Sequence, residues 1–327
     1  MIHNRRSFLG YLASFPAFGL VHNLKIGENP LSAEKLPFAT NEYSWITFSK
    51  RQGRDWFTDL DASLSELAKS GIKGYEPAIK KPEDLQQLAP LLKKHKLEMP
   101  SIYVGNTLHQ EKEAAQSLAQ TVAIAKAAKP LGLKIIVTNP SPIRWGGPEN
   151  KSDAELTTQA NYLNKIGAEV RKQGVTLAYH NHDIEMRNSA REFHHMMLAT
   201  NPENVSLCLE AHWLYRGSGN SQLAMFDILR LYGSRVVEVH LRQSINGTWS
   251  ETFKEGDIDY LKLAKELADL KINPHFVLEQ CIESQTANTL DAVAAHQADL
   301  KYASNVFASF KNVKSSGVYK KQNESMK

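Results

Sequence analysis

The chain has 327 residues, of which 42% are hydrophobic and 23% are charged. This balance is typical of a globular protein with a large buried core, and it excludes disordered, collagen-like and disulfide-scaffold classes. The net charge of +4 comes from the chain ends, because Arg5 and Arg6 lie near the start and five lysines accompany one glutamate after residue 310. The residues between carry about −2, so there is no domain-wide cationic field for nucleic-acid phosphates.

The N-terminal segment resembles a twin-arginine export signal. The sequence RRSFL at positions 5–9 precedes an apolar run that is too short to span a membrane. We therefore interpret residues 1–35 as a signal and linker, and we expect a periplasmic protein that is not membrane-bound after export. A frayed N-terminal helix is the alternative. Residues 311–327 are expected to form a flexible basic tail.

Short apolar runs alternate with helical patterns through the rest of the chain. The runs lack strict polar–apolar alternation, as in strands that are covered on both faces, and the segments between them carry apolar residues three and four positions apart. The predicted strands are 43–49, 72–77, 99–104, 134–139, 175–180, 205–210, 236–241 and 274–279. The predicted helices are 56–70, 85–96, 113–128, 154–173, 190–199, 222–231, 260–270 and 290–306.

Eight strand–helix units in succession predict a single α/β domain, a closed (β/α)8 TIM barrel over residues 40–310. A doubly wound open sheet is the alternative, but the turn after the first predicted strand, SKRQG at 49–53, is not glycine-rich. Cys208 and Cys281 lie in apolar runs and are expected to be buried thiols, although a disulfide between them stays open.

Carboxylates and imidazoles accumulate at the predicted carboxyl ends of the strands, where barrel enzymes place their chemistry. His180, Glu210, His240 and Glu279 each end a different strand, so we expect them to converge on the barrel axis. Carboxylates combined with imidazoles suit Mn²⁺, Zn²⁺ or Co²⁺ better than Ca²⁺, and Mg²⁺ is a further candidate. These four residues are the predicted ligands of a divalent metal.

The motifs around these residues resemble those of the xylose isomerase-like TIM barrels. They are YHNHD at 179–183, EAHW at 210–213, HLR at 240–242, EGDID at 255–259 and VLEQ at 277–280, and the resemblance covers about residues 43–306. That group contains sugar phosphate isomerases and epimerases, inosose dehydratases and keto-sugar lyases. The resemblance implies a metal held by strands five to eight and a small polyol or keto-sugar substrate, while a homo-oligomer stays open.

Other side chains at the same rim are predicted to contact such a substrate. The candidates are Glu76, Asn139, Trp213 and Arg242, together with Trp45, Tyr75 and Trp145, for which sugar stacking and simple packing are equally open. His182 alternates with His180 along its strand and therefore points to the same side. The remaining histidines, including His275 and His296, carry no functional signal.

Two positions depart from the family pattern. Glu210 stands where relatives with a YHNH-type motif usually have aspartate, and Arg242-Gln243 replaces a common Lys-Asp pair. Ketose epimerases of this group use glutamates from strands five and eight as a proton-shuttling pair, whereas strand five here offers His180. Epimerisation by two glutamates is therefore in doubt.

The resemblance implies that a proton is removed next to a carbonyl to give an enediolate. Glu279 is the predicted base, and His180 or His182 is the predicted partner acid. An isomerase or epimerase returns the proton to carbon, whereas a lyase or dehydratase loses a substituent instead. The presence of a single glutamate base slightly favours the lyase or dehydratase. The alternatives are a non-catalytic sugar-binding barrel and, more remotely, a nuclease for abasic DNA.

Overall fold

Eight short parallel strands form the inner wall of the protein, whose computed structural model describes residues 36–311. These strands are β1 (Ala39–Asn41), β2 (Gly74–Glu76), β3 (Ser101–Tyr103), β4 (Ile135–Thr138), β5 (Thr176–Tyr179), β6 (Val205–Glu210), β7 (Val236–Leu241) and β10 (His275–Leu278). Two further strands, β8 (Ser244–Ile245) and β9 (Thr248–Trp249), form an antiparallel hairpin. The predicted signal (1–35) and all but the first residue of the predicted tail (311–327) lie outside the described residues.

The order of the strands brings the two ends of the sheet together. Hydrogen-bonded neighbours follow the order β2-β1-β10-β7-β6-β5-β4-β3. The end strands β2 and β3 are joined by parallel bridges that link Gly74 to Glu98 and Ala78 to Tyr103. The sheet therefore curls into a nearly closed barrel, and the predicted TIM barrel is confirmed for the described residues.

The helices cover the outside of this barrel. They are α1 (Glu42–Arg51), α2 (Leu60–Lys69), α3 (Asp84–His95), α4 (Glu111–Ala128), α5 (Asp153–Lys172), α6 (Arg187–Ala199), α7 (Ala211–Gly217), α8 (Gln222–Tyr232), α9 (Tyr260–Asp269) and α10 (Ala292–Val306). All eight predicted helices are present, whereas α1 and α7 were not predicted. Among residues 36–311, no helix combines the length and apolarity that a membrane crossing requires.

The predicted first strand, 43–49, is wrong, because this segment lies within helix α1. The Asn41 side chain caps the helix by accepting a hydrogen bond of 2.8 Å from the Tyr43 backbone N–H. Glu42 in the first turn, and Lys50 and Arg51 in the last, suit the helix dipole. The first strand is instead the three-residue segment β1, which is too short to show a periodic pattern.

The barrel interior is filled by a small apolar cluster beneath the carboxyl ends of the strands. It contains Ile135, Val137, Ala178, Cys208 and Val237. A larger apolar cluster lies between the sheet and the helices. Both cysteines are free and buried, as predicted. These two layers hold the strand ends in a fixed relation to one another, which is what positions the site described next.

Candidate active site

Glu210, His240 and Glu279 are brought together by the hydrogen bonds of the sheet itself. Glu210 ends β6 and pairs in register with His240 of β7. Glu279 follows β10, and its backbone N–H donates to the Leu241 carbonyl at 3.0 Å. Because neighbouring parallel strands hold paired residues side by side, the three side chains project together from the carboxyl ends of β6, β7 and β10.

The three side chains form one compact set of potential metal ligands. His240 Nδ1 lies 3.1 Å from Glu279 Oε2 and 3.4 Å from Glu210 Oε2. One ligand atom from each residue lies within 4.8 Å of the others. The ring centroid of His180, the fourth predicted ligand, lies 5.2 Å from that of His240. One potential ligand atom of His180 lies within 4.8 Å of such atoms of His240 and Cys208. The structure thus gathers three predicted ligands in one set and places the fourth beside it.

The surroundings of Glu210 fit a bound cation. The residue is fully buried, and apart from His240 Nδ1 at 3.4 Å neither carboxylate oxygen has a hydrogen-bond partner among residues 36–311. Burial, together with the negative charge of Glu279, raises the pKa of Glu210 to about 7. His180 Nδ1 is also buried without a partner in the described chain. Buried polar groups without partners are costly, and a divalent cation would satisfy both.

Glu279 is held differently from Glu210. Arg242 Nη2 lies 2.9 Å from Glu279 Oε1, and Arg242 Nε donates to the Glu279 backbone carbonyl at 2.9 Å. Burial raises the pKa of Glu279, but the charge of Arg242 and the contact with His240 outweigh it and hold the pKa well below its usual value. Glu279 is therefore an ionised carboxylate in a fixed position, and a carboxylate in that state can accept a proton.

His180 and His182 lie side by side, as their alternation predicts, with ring centroids 4.9 Å apart. Burial lowers the pKa of His182 to about 4 and lowers that of His180 well below its usual value. Within the described chain, Nδ1 of each ring has no hydrogen-bond partner. Both rings are thus neutral at neutral pH, so their lone pairs are available to a metal and they are poorly suited to be the acid predicted from the sequence.

Indole rings line one side of this site. The Trp145 ring centroid lies 4.9 Å from that of His182, and the residue is 58% exposed. Trp213 is half-buried, 5.5 Å from the His182 ring, with the Arg242 guanidinium 5.2 Å from its centre. Trp45 and Tyr75 are fully buried in the core, so these two rings pack against other side chains and offer no face for a sugar to stack on.

A family model described as the xylose isomerase-like TIM barrel matches residues 64–303. The chain belongs to this family. An inosose dehydratase of Clostridium perfringens strain 13 is 26% identical over 275 residues, which cover 76% of this chain and 91% of that protein. The alignment with this dehydratase therefore covers most of both chains.

Solved structures of other proteins share the fold. A D-allulose 3-epimerase from Methylomonas sp. superposes with a TM-score of 0.65 at 12% identity, covering 84% of this chain and 98% of that one. A xylose isomerase-like protein from Mycobacterium smegmatis in complex with magnesium has a TM-score of 0.64 at 13% identity, covering 85% of this chain and 98% of that one. At these identities the similarity establishes the architecture alone.

Two predicted substrate-binding residues of this xylose isomerase-like barrel have contrasting contacts. Glu76 is fully buried and bonds to protein through both oxygens, with Asn41 Nδ2 at 2.8 Å and Ser101 Oγ at 3.1 Å. These contacts favour a structural position over a substrate contact. Asn139 donates to the His180 carbonyl and to Glu185 Oε1, both at 3.2 Å, and its Oδ1 has no partner in the described chain, so it keeps an acceptor for substrate.

The sequence analysis missed three residues of the site. Tyr103 ends β3, and its ring centroid lies 5.6 Å from that of His180 in an edge-to-face arrangement. Glu238 lies two residues before His240 and bonds to both His240 and His275. His275, in which the sequence showed no functional signal, thus contacts a carboxylate that also contacts the predicted ligand His240. Glu238 lies inside β7 and His275 begins β10, whereas only residues at the carboxyl ends of strands were considered.

Proposed function

We propose that this protein is a divalent-metal-dependent enzyme that removes the proton next to the carbonyl of a keto-sugar or keto-polyol and expels an oxygen substituent from the following carbon. The observation that carries the proposal is the ionised Glu279 carboxylate packed against His240, beside the buried Glu210 carboxylate. The similarity to an inosose dehydratase supports an elimination from a ring ketone.

Glu210, His240 and Glu279 would hold the metal, with His180 beside them. When bound, a divalent cation polarises a substrate carbonyl as a Lewis acid. Arg242 fixes Glu279 Oε1 and keeps the carboxylate ionised. Trp145 and Trp213 offer indole faces to the apolar side of a sugar ring, and Asn139 Oδ1 accepts a hydrogen bond from a hydroxyl group.

The step balances with one base and one acid. Glu279 takes the proton, and the electron pair of that C–H bond forms the double bond as the neighbouring C–O bond breaks. The C–O electron pair leaves with the oxygen, which takes a proton and departs as water or an alcohol. Burial, with the charges of Glu279 and Glu185, raises the pKa of Tyr103 well above its usual value. Tyr103 therefore retains its proton at neutral pH and is our candidate for this acid.

A second candidate function is isomerisation or epimerisation without loss of a substituent. The specific observation in its favour is that His180 and His182 are neutral imidazoles with free Nδ1 atoms, which can serve as a second base opposite Glu279. Isomerases and epimerases return the proton to carbon, whereas the elimination does not. The two functions therefore leave different isotopic marks on the sugar.

The test incubates the purified full chain in D₂O with an inosose, free keto-hexoses and 3-keto-glucosides, with Mn²⁺ or with EDTA, and follows the sugars by NMR. Elimination releases water or the aglycone and yields an unsaturated ketone, and EDTA abolishes the reaction. Deuterium at the carbon next to the carbonyl with all substituents retained would instead establish the second candidate. Binding of these sugars without any conversion, with Mn²⁺ present, would refute both and leave a binding barrel.

A further inference from the structure

The imidazole of His240 has a second face that the proposed chemistry does not use. Its Nδ1 points toward Glu210 and Glu279, whereas its Nε2 lies 3.1 Å from Glu238 Oε1 and 3.1 Å from Glu76 Oε2. All of these side chains except Glu279 are completely buried, and Glu279 is nearly so. The Nε2 atom therefore has carboxylate partners on the inner side of the barrel, away from the proposed metal.

Glu238 is engaged almost wholly by imidazoles. Its Oε1 faces His240 Nε2, and its Oε2 lies 2.8 Å from His275 Nδ1. His275 Nε2 in turn donates to the Pro37 carbonyl at 3.0 Å, since a carbonyl oxygen can only accept. The chain of bonds thus anchors Glu238 through β10 to the segment that precedes β1.

The two carboxylates behind His240 are not equivalent. Glu76 also accepts hydrogen bonds from Asn41 and Ser101, so its position is fixed by groups other than His240. Glu238 lies on β7 itself, two residues before His240, and both side chains point into the barrel. Loss of the Glu238 carboxylate would leave Glu76 as the remaining carboxylate within 3.1 Å of Nε2 and would remove the bond that holds the ring to its own strand.

We infer that Glu238 is a positioning residue for His240: it accepts the Nε2–H and thereby presents the Nδ1 lone pair to a metal between Glu210 and Glu279. This inference rests on the proposed function, because it assigns the ring a metal to ligate. Carboxylates behind a metal-bound histidine fix its tautomer and orientation, and their removal typically lowers metal affinity about 10- to 100-fold.

The test compares wild type with Glu238→Gln and Val237→Ala in the full chain. Val237 lies in the buried apolar cluster on the same strand, so its truncation controls for damage to the barrel interior without removing a hydrogen-bonding group. Co²⁺ affinity is measured by visible absorption in competition with a chelator, and the stability of each apoprotein by thermal denaturation in EDTA. We expect Glu238→Gln to weaken Co²⁺ binding about 10- to 100-fold and Val237→Ala to leave it within about threefold, although both lower stability.

NMR of the His240 ring gives a readout that does not require metal. In the wild-type apoprotein, the Nε2-bound proton should be strongly deshielded by its carboxylate partner, and this resonance should move upfield in Glu238→Gln. Unchanged Co²⁺ affinity, or an unchanged resonance, would overturn the inference. If wild type binds no Co²⁺, the metal dependence of the proposed function fails, and the proton resonance alone decides whether Glu238 positions His240.

Discussion

Replacing Glu210 by Gln should make the metal-free protein more stable while it weakens metal binding. The carboxylate is fully buried, has His240 Nδ1 at 3.4 Å as its one polar partner in the described chain and faces the charge of Glu279. The amide has nearly the same volume and carries no charge, so it removes the electrostatic cost of a buried anion. The proposed metal would offset this cost, and the variant measures the cost in its absence.

The magnitude follows from the pKa of Glu210, which burial and Glu279 raise from 4.5 to about 7. Because the folded state holds this proton more tightly than the unfolded state, the cost is absent below pH 4.5, grows as pH rises and is complete above pH 7. A shift of that size corresponds to about 3 kcal/mol at pH 8. At roughly 2 °C per kcal/mol, the variant should melt about 6 °C higher than wild type.

The assay is thermal denaturation in EDTA at pH 5 and pH 8, followed by circular dichroism. Glu185→Gln is the matched control, since the pKa of Glu185 is also raised to about 7. Its carboxylate, however, accepts hydrogen bonds from Asn139 and from the His182 backbone N–H, which an amide cannot fully replace. We expect a gain only for Glu210→Gln, mostly lost at pH 5. If Glu210→Gln melts below wild type at pH 8 in EDTA, the reasoning about a buried carboxylate is wrong.

Three further predictions concern catalysis and export. Glu279→Gln should lower turnover by about 10³-fold in steady-state assays, because the amide cannot take the proton. The control variant Glu283→Gln, in the same loop, should keep a turnover close to that of wild type. Turnover of the Glu279 variant within tenfold of wild type would show that Glu279 is not the base. Tyr103→Phe should slow the loss of an alkyl alcohol about 10²-fold but the loss of a nitrophenol far less, since a good leaving group needs no acid; equal slowing of both would rule out Tyr103 as the acid. Replacing Arg5 and Arg6 by lysine should retain the protein in the cytoplasm, as measured by cell fractionation, and unchanged export would show that this pair is not read as a twin-arginine signal.

The architecture was readable from the sequence because strands and helices of ordinary length repeat along the chain. Strands β6 and β7 match their predicted bounds at both ends, since long apolar runs bounded by turn residues leave little freedom. The first strand was misplaced because the aromatic and β-branched residues of 43–49 suit a strand, while the decisive signal was the capping side chain of Asn41. A three-residue strand leaves no pattern of its own.

The outer part of the site was also predictable, because residues at strand ends converge wherever parallel strands close into a barrel. That rule alone predicts that Glu210, His240 and Glu279 lie close together. Glu238 and His275 could not be found in this way, since a charged residue inside an apolar strand gives no indication of its partner until the barrel places the two strands side by side. The pairing of Glu238 with His275 follows from register, which sequence patterns leave undetermined.

The two halves of the site are built from different kinds of structure, and this should separate metal binding from substrate choice. The ligand set lies on strand ends that are fixed by the ladder, whereas Trp145 lies in the loop between β4 and α5 and touches the site through His182. Removing an exposed indole face costs about 1 kcal/mol of stacking, which is roughly a fivefold change in affinity. Trp145→Ala should therefore raise KM about fivefold with kcat and Co²⁺ affinity nearly unchanged. A fall in Co²⁺ affinity as large as the rise in KM would show that the loop and the proposed ligand residues are mechanically coupled.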